Sequence, residues 1–251
     1  MLEVIESKPR HIVSFSGGKD STAMLLLLLE KGYPIDEIRA FDGGWEFPQM
    51  YEHWAKVEEY TGMKINIVKY KWSFTYMLLE QELYDKEGKV YRIGMGWPSM
   101  FRRWCTGSKL ETLYKDKRKG DVWYIGLAFD ERHRVTNNTS NTSRSKGTIK
   151  QFPLIDWGIT EAKALDYCIK YGFTFGGLYE HFNRVSCFCC PMKSLDCWRK
   201  LRKYYPDLWK QMLIWDSMIS DNRGFKDNLT AHDLERRFVN EEKQPKLFDM
   251  L

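Results

Sequence analysis

The sequence has no run of apolar residues long enough to cross a bilayer. A spanning helix needs about 20, and the longest stretch, AMLLLLLE from Ala23 to Glu30, ends in a charge. The opening residues, MLEVIESKPRHIV, lack the basic residues and apolar core of an export signal. A cytoplasmic protein with no membrane partner is therefore expected, in which the sequons of NNTSNTS (Asn137 to Ser143) stay idle. Internal repeats and low-complexity tracts are also missing, which excludes solenoid arrays. Strong charge bias is absent too: 39 basic and 34 acidic side chains leave +5, which permits an anionic partner without demanding one.

What is present suffices for a full core without staples: 251 residues, 43% of them hydrophobic and 15% aromatic. The six cysteines of an unexported chain point to free thiols, a metal site or catalysis before disulfides. Short apolar runs alternate with helical patterns in the first half. HIVSF (His11 to Phe15), EIRAFD (Glu37 to Asp42), KINIVKY (Lys64 to Tyr70) and VWYIGL (Val122 to Leu127) read as strands. Helices are expected at Ser21 to Lys31, Pro48 to Thr61, Ser73 to Tyr84 and Gly107 to Lys119. Right-handed crossovers then give an α/β fold, a parallel twisted sheet with helices on both faces and ligands at the carboxyl ends of its strands. Val135 to Thr148 reads as a mobile loop, Phe152 to Trp157 as an extended segment docking back, and Thr160 to Gly172 as a helix ended by its glycine. From Leu178 the chain turns to a cysteine cluster and aromatic, basic helices, so the expected domains are 1–177, α/β, and 178–251, helical and cysteine-bearing.

SFSGGKDSTAM (Ser14 to Met24) stands where strand one must turn into helix one. Gly17 and Gly18 permit positive φ and close approach, and the helix start presents unsatisfied amides, a nest suited to phosphate. Lys19 adds positive charge, and Ser16 and Ser21 add hydroxyls. The spacing is not that of a Walker loop, and the third glycine of a dinucleotide fingerprint is missing. An ordinary turn with a cap from Asp20 or Ser21 is the alternative.

SGGKDS (Ser16 to Ser21) resembles the PP-loop of the N-type ATP pyrophosphatases. Further segments, in order, resemble the phosphoadenosine-phosphosulfate (PAPS) reductase branch: FDGGWEFPQMYEH (Phe41 to His53), RRWCTGSKLETL (Arg103 to Leu113), GLAFDERHR (Gly126 to Arg134), FPLIDW and RVSCFCCP (Arg184 to Pro191). The resemblance implies an adenine nucleotide alpha hydrolase-like, Rossmann-like fold that splits ATP between its α and β phosphates or binds adenylyl-sulfate. It implies that Ser16, Gly17, Gly18, Lys19, Asp20 and Ser21 hold the phosphates, with Asp20 aiding Mg2+ or the leaving pyrophosphate. Asp42 would lie near the nucleoside, and Gly126 would let the chain pass the nucleotide. Ala128 stands where the family has arginine, and Arg132 or Arg134 would supply that charge.

Cys187 and Cys190 form a CxxC pair that can hold one metal, with Cys105 brought in by the fold as a third ligand. The branch resembled includes iron-sulfur enzymes with a tandem Cys-Cys before a distant CxxC; here Trp104 replaces the first of the tandem. A 4Fe-4S cluster on three thiolates leaves one iron open to sulfide or substrate, as in PP-loop enzymes that thiolate tRNA, and Cys189 would carry persulfide or replace Cys190. Structural Zn2+ joined by His181, or unliganded thiols, are the alternatives. Cys168 reads as core, and Cys197 is open to either assignment.

An adenylating sulfurtransferase is thus expected, acting on a nucleic acid, nucleotide or metabolite, with sulfide or a sulfur donor protein as its source. Reduction of adenylyl-sulfate or PAPS is the second reading, although the C-terminal ECGLH nucleophile is absent and Cys189 or Cys197 would have to serve. The third is a nucleotide-binding subunit without turnover. For that reading QPKLFDML would supply the hook, since Gln244 to Phe248 resembles the peptide that docks on sliding clamps, but a tail folded on its own domain is the first expectation. YKDKRKGD (Tyr114 to Asp121) is expected to be a solvated helix end before a nucleic-acid footing, and Trp198, Leu201, Trp209 and Met212 to be core at helical spacing.

Overall fold

A computed structural model describes residues 8–99, 101–136, 143–220, 224, 226 and 229–243. Its elements in chain order are β1 (His11–Phe15), α1 (Lys19–Glu30), β2 (Glu37–Phe41), α2 (Pro48–Thr61), β3 (Ile65–Val68), α3 (Phe74–Leu79), β4 (Glu82–Tyr84), β5 (Val90–Ile93), α4 (Trp104–Leu113) and β6 (Val122–Ile125). Then come α5 (His133–Thr136), β7 (Ile149–Gln151), α6 (Pro153–Asp156), α7 (Glu161–Lys170), α8 (Leu178–His181), α9 (Leu195–Tyr204), α10 (Pro206–Met218) and α11 (Ala231–Lys243). Two compact units result, Met1–Tyr70 with Ser108–Ser186, and Lys71–Gly107 with Cys187–Leu251. No helix among the described residues is long and apolar enough to cross a membrane.

The first unit is a parallel sheet in the order β3-β2-β1-β6-β7, flanked by helices. Its central strand β1 is apolar on both faces, as a covered parallel strand must be, with Ile12 and Val13 fully buried. Every residue of α1 from Ser21 to Leu28 is buried, which explains a leucine run apolar all round. Proline at the first turn and Gly62 in the left-handed region (φ 67°) fix the ends of α2.

A buried guanidinium ties β2 to the segment after α4. Arg39 donates to the Leu113 carbonyl (2.9 Å), to Asp116 Oδ2 (3.1 Å) and to Glu37 Oε2 (2.7 Å). The hydrogen bonds from Arg39 hold the Asp116 carboxyl down to about 2, from an ordinary 3.8. A carboxyl lowered on folding stabilises above its ordinary range, and that contribution is lost as pH falls from 3.8 through about 2. The urea midpoint of Asp116→Asn should accordingly fall less steeply than that of the wild type as the solution is taken from pH 5 toward the acid side.

Four segments depart from the sequence expectations, one of them the helix expected at Gly107 to Lys119, which runs Trp104–Leu113. The helix expected over Ser73 to Tyr84 stops at Leu79, and the chain enters an antiparallel hairpin of β4 and β5. The Asp85 carboxylate accepts from the Glu87 and Lys89 amides (both 2.9 Å), and Gly88 supplies φ 81° at the turn. Phe152 to Trp157 is not extended: Pro153 starts one turn of helix, and the pairing strand is β7 just before it. Within Val135 to Thr148, Ser143–Ser145 is a 3-10 turn, while 137–142 lies outside the described residues.

In the second unit Pro206 divides the C-terminal helical stretch into α9 and α10. Trp198, Leu201, Trp209 and Met212 are buried, as their spacing predicts. The Trp97 indole donates to buried Asp216 (2.8 Å), whose second oxygen accepts from the His232 amide (3.3 Å). The clamp-like segment Gln244 to Phe248 lies outside the described residues.

Candidate active site

In this sheet the chain order reverses between β1 and β6, the place where open α/β sheets bind ligands. Beyond Phe15 the backbone passes Ser16 and enters Gly17 at φ 76°. A Cβ on Gly17 would lie 2.1 Å from Trp54 Nε1, so space and conformation both demand glycine. The end of β6 is equally tight: a Cβ on Gly126 would stand 2.9 Å from Ser21 Cα and 3.0 Å from Ser21 N. The strand therefore runs directly against the first turn of α1.

Between these turns opens a cleft of about 440 Å3. Ser16, Gly18, Lys19, Asp20, Ser21, Gly126 and Arg134, all singled out from the sequence, line it, while Gly17 does not. The Ser21 hydroxyl folds the loop on itself, accepting from the Ser16 amide (3.2 Å) and donating to the Gly18 carbonyl (3.0 Å). Gly18 precedes α1 in an extended conformation with no side-chain cap.

Lys19 is 5% exposed, and its ammonium donates to Glu161 Oε2 (2.6 Å) and to both oxygens of Asp20 (3.0 and 3.1 Å). Burial pushes the Asp20 carboxyl up, and the Lys19 charge only partly offsets it. Glu161 opens α7, with its amide donating to Asp130 (3.1 Å). Arg134 pairs with Glu131 (2.7 Å) on the cleft wall. Arg132 instead lies over the Phe129 ring (4.4 Å) and borders a separate cavity of about 560 Å3. The Lys19 amide donates to the Tyr179 hydroxyl (2.7 Å). Sequence reading missed Glu161 and Tyr179, which stand 142 and 160 positions downstream of Lys19. The cleft thus brings the start of α1 together with a buried lysine held between the Asp20 and Glu161 carboxylates.

Residues 10–193 match the phosphoadenosine phosphosulfate reductase domain. The chain belongs to that family. The Ser16 to Ser21 loop, whose sequence resembles the PP-loop of the ATP pyrophosphatases, lies within the matched residues and borders the cleft. The chain is 28% identical over 219 residues to the uncharacterized protein MJ0066 of Methanocaldococcus jannaschii, a match covering 84% of this chain and 41% of that protein. It spans about two fifths of that relative. Among solved structures it is similar to the U34-tRNA thiolase NcsA from Methanococcus maripaludis with its 4Fe-4S cluster, at 16% identity and a TM-score of 0.43, over 95% of this chain and 73% of that one.

Two other sets of residues were expected to serve this PAPS reductase-family site. Asp42 follows β2 but does not line the cleft. Its carboxylate accepts from the Gly44 amide (2.7 Å) and the Tyr51 hydroxyl (2.9 Å) and pairs with Lys69 (3.0 Å). Burial pushes it up, but these hydrogen bonds outweigh burial and hold it below the ordinary range.

The cysteines other than Cys168 fall in the second unit, and none of the six forms a disulfide. The Cys190 amide donates to the Cys187 carbonyl (3.3 Å) and the Lys193 amide to the Cys190 carbonyl (3.0 Å), a double turn around the CxxC pair. Burial pushes the Lys193 ammonium down, opposed by the thiols of Cys190, Cys197, Cys187 and Cys189. The Cys105 thiol is raised by burial, with Cys190 adding to it. These donors suit a thiophilic cluster in kind. In spacing they do not: among the described residues no three His, Cys, Asp or Glu side chains are grouped to hold a metal ion. His181, the expected partner for zinc, belongs to the first unit beside Phe182. Cys168 is core, donating to the Lys19 carbonyl (3.3 Å).

Proposed function

We propose that the protein binds ATP with Mg2+ in the PP-loop cleft, adenylates an oxygen of its substrate, and replaces the activated oxygen with sulfur handled by its cysteines. The observation that carries the reading is the cleft itself, where the glycine loop, Lys19 and Asp20 meet Gly126 at the switch point of the sheet. A substrate oxygen attacks the α-phosphorus, the bond to the bridging oxygen breaks, and pyrophosphate leaves with the electron pair. Charge then develops on the leaving oxygens, where the α1 amides and the Lys19 ammonium stabilise it. Asp20 is the loop carboxylate proposed to accompany magnesium. Asp20→Ala should lower pyrophosphate release on the order of a hundredfold or more.

The sulfur step is assigned to the second unit on its cysteines. Cys105, Cys187 and Cys190 are the proposed holders of a 4Fe-4S cluster and would have to draw together around it; when bound, it would supply sulfide chemistry that thiols alone do not, with Cys189 as the spare thiol. Sulfide or a sulfur donor protein is the source, and a nucleic acid, nucleotide or metabolite the acceptor. Six cysteines without a disulfide suit the reducing cytoplasm. Reduction of adenylyl-sulfate ranks lower, since the C-terminal ECGLH nucleophile is absent from the sequence and Cys189 or Cys197 would have to serve. The test is iron and acid-labile sulfide per chain in protein purified without oxygen, alongside Cys105→Ala. About four irons, lost in the variant, are expected; a chain without iron would end the cluster assignment.

A further inference from the structure

Tyr179 follows an unusual turn. Phe175, Gly176 and Gly177 are three consecutive residues in the left-handed region, with φ of 54°, 58° and 77°. Glycine adopts it freely, but for a bulky side chain it is strained, and Phe175 is held there with its ring 2% exposed. The strained ring meets the Tyr179 ring edge-on, centroids 4.8 Å apart and planes at 81°. Tyr179 is thereby fixed with its hydroxyl at the start of α1, where a Cβ on Gly18 would come within 3.3 Å of it.

At that place the phenol oxygen accepts from the Lys19 amide, leaving its own hydrogen to donate. No acceptor for that hydrogen occurs among the described residues, although the ring borders the cleft. Lys19 Nζ lies 5.9 Å from the ring centroid, so the hydroxyl and the ammonium belong to the same corner. Burial raises the Tyr179 phenol, which keeps it protonated and a donor at neutral pH.

We infer that Tyr179 is a phosphate-binding residue, whose hydroxyl accepts from the Lys19 amide and donates to an oxygen of the phosphates that leave as pyrophosphate. The inference rests on the ATP reading above and deepens it, since it extends the anion nest beyond the loop. A chain of donors running from amide to phenol to phosphate is polarised in one direction, which strengthens each link. The strained turn has a role in this account, because relaxing it would swing the phenol away from α1.

Calorimetric titration of the full chain and of Tyr179→Phe with pyrophosphate, MgATP and adenosine tests this. The phenylalanine ring keeps the contact with Phe175, and a thermal melt of the unliganded variant checks that the fold persists. Loss of a hydrogen bond to a charged ligand should weaken pyrophosphate and ATP about ten- to a hundredfold, with adenosine unchanged. Equal pyrophosphate affinity in the two proteins would overturn the inference while leaving the ATP reading intact. Parallel loss for adenosine and pyrophosphate would also overturn it, since it would mean the ring only packs. A wild-type chain that binds neither ATP nor pyrophosphate would overturn the ATP reading and the inference together.

Discussion

Gly126→Ala is expected to abolish measurable ATP binding in a chain that still folds. The backbone of Gly126 has no positive φ, so alanine meets no conformational objection there. The objection is space. Its Cβ would meet Ser21 Cα at 2.9 Å, Ser21 N at 3.0 Å and Asp20 C at 3.2 Å, all of them backbone atoms that cannot rotate aside. Either β6 or the first turn of α1 must retreat, and both are walls of the cleft. Overpacking of this kind costs about 1–3 kcal/mol, which a melting curve reads. The ligand site suffers more than the fold, because the displaced atoms include the amides that would meet phosphate. Retained ATP affinity in Gly126→Ala would show that the nucleotide lies elsewhere.

Lys19→Met should have the second largest effect, on stability as well as on binding. The ammonium separates two carboxylates, Asp20 and Glu161, whose side chains are 23% and 34% exposed. Removing one partner from a fully buried pair costs about 3–5 kcal/mol; partial exposure here lowers the expectation to about 2 kcal/mol. The Asp20 carboxyl, already raised by burial, loses the charge that holds it down. A carboxyl raised on folding stabilises below its ordinary pKa, and that contribution is lost as pH rises through the raised value. The variant should therefore lose more stability at pH 8 than at pH 5, relative to the wild type. Adding Glu161→Gln should restore the melting temperature by removing one of the unpaired charges. ATP affinity should stay about a hundredfold down in both, since neither variant returns a cation to the phosphates. Recovery of binding in the double variant would contradict the role given to Lys19.

Local signals carried much of this architecture. Strand β1 and helix α2 have the bounds their residues announce, because the β-branched run at His11 to Phe15, Pro48 and Gly62 act on their immediate neighbours. The glycine loop was legible for the same reason, since its turn into α1 is made by consecutive residues. The β4–β5 hairpin was not, because LLEQELY continues a helical pattern and only the Asp85 to Gly88 turn opposes it. Glu161 and Tyr179 were invisible for a different reason: nothing near them in the chain indicates that the fold carries them to Lys19. Asp42 shows the converse. Its position after a strand suggested a ligand contact, while its actual partners, Lys69, Tyr51 and the Gly44 amide, spend its acceptor capacity away from the cleft lining.

The central claim is that this PP-loop chain splits ATP between the α and β phosphates. Nucleotide products should be resolved by ion-exchange chromatography after incubating excess protein with MgATP labelled at the α-phosphorus, with water as the default acceptor and Asp20→Ala as the control. The account predicts labelled AMP with an equal amount of pyrophosphate, absent from the control. Labelled ADP with inorganic phosphate would contradict it.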